Sequence, residues 1–176
     1  MMKRLIALVL SAMLLCVPPM AGLAESYTLL KLDDTGLTIT LETSEAVDLQ
    51  FEQDMPAGTA RVTVVSAEHA DVVISMMPSE LYAGRSMADL SEEERADLME
   101  TAGMQYEAPT FTVDTTPDGN QYIHVCSNQA DDIDSLFTIY KGYFVELMQS
   151  RPDFTPLTEE DEAFCYSLLQ GIEFAE

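Results

Sequence analysis

The sequence predicts an α+β fold in which a mostly antiparallel β-sheet is flanked by helices, and three observations carry that expectation. Between Gln121 and Gln149, Tyr, Phe, Val and Ile crowd into short runs separated by polar turns; such side chains suit a pleated, half-buried surface. Between Ser79 and Gly103 the β-branched residues nearly vanish, and Ala, Leu, Met, Glu and Asp take over, which is helix-forming composition. Near the end, Phe164, Cys165, Leu168 and Leu169 fall on one helical stripe. A sheet with an apolar face must be covered, and these helices are the elements left to cover it.

The first residues set the compartment. Lys3 and Arg4 precede an apolar run from Leu5 to Val17, Pro18-Pro19 break it, and Gly22-Leu23-Ala24 places small residues where a signal peptidase cuts. This is the pattern of a secretory signal peptide over residues 1–24, cleaved after Ala24. The mature chain is therefore expected to be secreted or extracytoplasmic. The apolar run falls short of the about 20 residues that a membrane-spanning helix needs, so no stable membrane span is expected after cleavage. Leu14-Leu15 before Cys16, and the two prolines after it, do not suit lipid attachment. Residues 25–176 then form a single α+β domain, enough chain for one core.

Taken in order, the first two runs, Ser26 to Leu32 and Leu37 to Leu41, bracket the turn cluster Asp33-Asp34-Thr35-Gly36 and read as a hairpin. Val47 to Phe51 alternates as a strand, and Met55-Pro56-Ala57-Gly58 breaks it. Arg61 to Ser66 and Asp71 to Met77 form a second hairpin through Glu68-His69-Ala70. Ser79 to Ala83 suits one helical turn. Ser91 with Glu94 makes a capping box, so a helix starts at Glu92, and Glu92, Glu93 and Glu94 load its positive end. Leu98, Met99 and Ala102 supply its apolar face. Thr110 to Asp114 and Tyr122 to Cys126 are strands joined by Thr116-Pro117-Asp118-Gly119-Asn120. Two more strands meet at Lys141-Gly142, where Gly allows the positive φ of a tight hairpin. Thr158 caps a final helix from Glu159 to about Gln170, and Ile172-Glu173-Phe174 closes the chain as a short strand.

The succession is similar to the Mog1/PsbP-like α/β/α sandwich, in particular to the small exported bacterial proteins of that group. The opening hairpin Tyr27 to Leu41, the helix after Pro78, the Thr110 to Gln149 strands and the ending Leu157-Thr158-Glu159-Glu160-Asp161 through Gly171-Ile172-Glu173-Phe174 carry the likeness. The resemblance implies a binding or assembly role, with no shared catalytic residues to carry over.

Charge narrows the function further. The chain holds 31 acidic residues against 8 Lys and Arg, a net charge of −23, and two of those cations, Lys3 and Arg4, belong to the leader. Such a surface argues against a nucleic-acid partner, which needs a basic footprint, and against anionic lipid. It suits a soluble exported protein, a basic partner or divalent cations.

Few constellations carry chemistry. Cys126 and Cys165 permit one disulfide in an oxidising compartment; the alternative is that both are small buried apolar side chains. His124 and Cys126 are two apart on a strand and share a face, the arrangement of a base and a thiol nucleophile, but no local signature of a cysteine hydrolase surrounds them. Asp131-Asp132-Ile133-Asp134 offers clustered oxygens to Ca²⁺, without the central Gly and distal Glu of a calcium loop. His69 and His124 give no zinc spacing. The expected function is thus an exported, non-enzymatic binding or assembly module, without a cofactor, for a protein or envelope partner. The alternatives are a small thiol-dependent hydrolase using Cys126 and His124, or a Ca²⁺-dependent surface module.

Overall fold

The computed structural model describes residues 24–175 apart from 33–36, 55–56, 105, 107, 118, 127–132 and 152–154, with the backbone alone at Cys126, Ile133 and Asp134. Residues 1–23 of the proposed leader lie outside the described residues, as do the turn at 33–36 and the aspartates 131 and 132. Among the described residues, no helix is long and apolar enough to cross a membrane.

Among the described residues, ten strands build two antiparallel sheets. The larger has seven strands: β3 (Val47–Asp54), β4 (Thr59–Ser66), β5 (Asp71–Pro78), β9 (Tyr143–Ser150), β8 (Ile133–Tyr140), β7 (Gln121–Cys126) and β6 (Thr110–Thr115), in that spatial order. The smaller comprises β1 (Glu25–Lys31), β2 (Thr38–Thr43) and β10 (Ile172–Ala175), with β2 in the middle. The division corrects the expectation of one sheet. The opening hairpin takes the closing strand as its third member, pairing Ile172 with Leu41 and Phe174 with Ile39, and packs over the large sheet.

Local chemistry explains the elements. Helix α1 (Glu92–Gly103) begins at the capping box, where the Ser91 hydroxyl accepts from the Glu94 N–H at 3.2 Å and the Glu94 carboxylate accepts from the Ser91 N–H at 2.8 Å. Arg85 adds a two-pronged pair to Glu94, at 2.7 and 2.8 Å. The guanidinium, followed by the Ser91 donors, holds the Glu94 carboxyl at about 2. Helix α2 (Glu159–Gln170) has the expected bounds and Thr158 cap. At the β8–β9 turn both Lys141 (φ 46°) and Gly142 (φ 89°) are left-handed, the type I′ geometry that matches strand twist. A Cβ on Gly142 would lie 2.9 Å from the Gly84 backbone nitrogen, so this turn also docks against the 79–86 segment. That segment holds a 3-10 turn, Glu80–Tyr82, and a second one, Met87–Asp89, follows it directly.

Two apolar cores result, one on each side of the large sheet. Leu30, Ile39, Leu41, Ile74, Leu147, Phe164, Leu168 and Ile172 belong to the first, beneath the small sheet and α2. Leu98, Met87, Leu90, Ile123, Val125, Phe137 and Ile139 belong to the second, beneath α1. Strands β7–β9 are therefore covered on both faces, whereas the edge strands β3 and β6 are mostly exposed.

Candidate functional site

Helix α2 does two jobs. Its core stripe, Phe164, Cys165, Leu168 and Leu169, is buried, and its flank, Glu159, Glu162, Ala163 and Tyr166, forms one wall of a cleft against β6, β7 and β8. The opposite wall carries Asp114, Tyr122, His124 and Leu136. The cleft measures about 260 Å³. Register places the strand residues together: Asp114 lies opposite Tyr122, and His124 opposite Leu136, so the cleft residues of β7 alternate with the Ile123 and Val125 of the other core.

The helix is locked in place by an acid that sequence inspection left among its dipole-complementing neighbours. Asp161 is 1% exposed. Its carboxylate accepts from the Ala70 N–H at 2.7 Å, the Thr158 N–H and hydroxyl both at 2.8 Å, and Arg151 Nη2 at 2.5 Å. Burial by itself raises its proton affinity, but the Thr158 and Ala70 amides, Arg151 and the Thr158 hydroxyl outweigh that and hold it well below the usual carboxylate range.

Tyr122 forms the floor of the cleft. It is 2% exposed, and among the described residues its hydroxyl has no hydrogen-bond partner. Its ring stands 5.9 Å from that of Tyr166, centroid to centroid, at 59°. Burial first, then the Tyr166 phenol and the charge of Asp114, raise the Tyr122 pKa, so it presents a neutral hydroxyl. A separate void of about 10 Å³ beneath Tyr122, walled by Thr138, Val145 and Leu169, is too small for a ligand.

The residues singled out in the sequence have separate fates. His124 lines the cleft. Cys165 is fully buried in the first core, while Cys126 ends β7 and its side chain lies outside the described residues, as does that of Asp134. His69 stacks on Phe164 at 4.6 Å and 19°, a packing contact. Among the described residues, no three His, Cys, Asp or Glu side chains converge as metal ligands. The signal for the cleft was present in part, since Glu159, Glu162 and Tyr166 recur at i, i+3 and i+7, one helical face. Its partners on β6 and β7 are set by long-range pairing, which no local spacing encodes.

No protein-family model matches this chain, and no curated protein matches it in sequence.

Proposed function

We propose that the chain is an exported, non-catalytic binding module of Mog1/PsbP-like architecture, and that its working surface is the cleft between α2 and β6–β8. The observation that carries the reading is Tyr122. An unmet buried hydroxyl costs about 1–3 kcal/mol, and Phe in its place would satisfy the core without that cost. A polar group kept at the floor of a concave site is what a ligand pocket requires. The acidic exterior and the leader-like N-terminus support an extracytoplasmic role.

The test is protein-observed NMR of residues 25–176, ¹³C-labelled in the tyrosine rings, against a small-fragment library spanning cations, neutral molecules and anions. Saturable hits that perturb Tyr122 and Tyr166 are expected; a library with no hit in the cleft contradicts the reading. The alternative, a thiol-dependent hydrolase, draws on His124, which lines the cleft two residues before Cys126. Labelling of Cys126 by a thiol-reactive probe at a rate that falls in His124→Ala would favour it.

A further inference from the structure

We propose that the cleft recognises an organic cation, an alkylammonium or guanidinium head on a slender stem. This deepens the binding-module reading and rests on it. Three carboxylates, Asp114, Glu159 and Glu162, line a space that also presents the rings of Tyr122 and Tyr166. Carboxylates repel anions and attract cations, and the low-dielectric walls of a cleft strengthen that field. Tyr166, 37% exposed, presents its phenol ring to the same space, and the face of such a ring attracts a cation within about 6 Å.

The Tyr122 hydroxyl is an independent observation pointing the same way. It is 2% exposed and, among the described residues, without a partner, and its ring meets that of Tyr166, which lines the cleft and not the small void beneath. A neutral phenol oxygen accepts hydrogen bonds, and an ammonium has three to give. The absence of three converging metal ligands among the described residues disfavours a divalent cation. The volume, about 260 Å³, lies just under the range of drug-sized pockets and suits a group the size of a lysine side chain.

Calorimetry of residues 25–176 at pH 8, where an ordinary imidazole is neutral, tests the proposal with n-pentylammonium against its uncharged counterpart n-pentanol. Saturable binding of the ammonium, with the alcohol at least tenfold weaker, is expected. Tyr122→Phe should weaken the ammonium about tenfold, the loss of one charge-assisted hydrogen bond, and Glu162→Gln should weaken it while leaving the alcohol unmoved. A capped Gly-Lys-Gly peptide and free n-pentylammonium separate the two sources of such a head: tighter peptide binding assigns a protein side chain, and equal binding a free amine. Equal affinity for ammonium and alcohol, or no binding of the ammonium, overturns the cation proposal. In that event neutral or anionic fragments still found in the cleft leave the binding-module reading standing, and their absence removes both.

Discussion

At the scale of single residues, two buried polar groups behave oppositely. Asp161 is fully satisfied and Tyr122 is not, so their substitutions should move stability in opposite directions. Asp161→Asn leaves Arg151 without its carboxylate and replaces one of the two acceptor oxygens by an NH2 group, which must face either the Ala70 N–H or the Thr158 donors. We expect a loss of about 2–4 kcal/mol at pH 7, read by urea denaturation. Tyr122→Phe removes only the unpaired oxygen, and stability should hold or rise by up to about 1 kcal/mol; a clear loss would show that the hydroxyl is structural.

The pH dependence follows from Asp161 and Glu94, both lowered on folding. A carboxyl with a depressed folded pKa binds protons more readily when unfolded. Its contribution is complete above the unfolded value near pH 4 and drains away as pH falls through the folded value. Wild-type stability should therefore decline from about pH 4.5 downward, with a shallower acid limb in Asp161→Asn. Matching slopes in the two proteins would contradict this.

At the scale of elements, the C-terminal strand depends on a close backbone approach. The Gly171 carbonyl accepts from the Glu42 N–H at 2.8 Å, and a Cβ on Gly171 would lie 1.9 Å from the Glu42 carbonyl oxygen. Gly171→Ala must push β10 away from β2. We expect a loss of about 1–3 kcal/mol and faster amide exchange across Ile172–Ala175; unchanged exchange there would refute the account of this contact. Elements were largely legible in the sequence where local chemistry decides them. The Ser91 and Thr158 caps, the acid-loaded first turns and the Lys141-Gly142 reversal need no distant partner, and each stands where its residues place it. Asp161 was not legible, because Glu159-Glu160-Asp161-Glu162 looks uniformly like a dipole-complementing run. What singles out Asp161 is the arrival of Ala70 and Arg151 from other strands.

At the scale of the whole molecule, the separation into two sheets and the assembly of the cleft escaped the sequence for the same reason. Strand order is a matter of long-range pairing: β5 pairs on one side with its neighbour β4 but on the other with the distant β9, and β2 on one side with β1 but on the other with β10. The net charge of −23 is, by contrast, plain from composition, and it acts on the whole fold through self-repulsion. Raising salt from about 10 to about 150 mM shortens the screening length from about 30 to about 8 Å, so Tm should rise by a few degrees in a sodium chloride series. A falling Tm would mean that attractive pairs such as Arg85–Glu94 and Arg151–Asp161 dominate instead. The same excess of negative charge draws cations toward the α2 cleft, the surface on which the functional reading turns.

The most direct measurement of that reading uses protein labelled with ¹³C in its tyrosine rings and titrated with n-pentylammonium. The Tyr122 and Tyr166 signals should move together and saturate while the remaining tyrosines stay in place. Uniform drift of every ring, or a saturating shift at tyrosines outside the cleft, would contradict it.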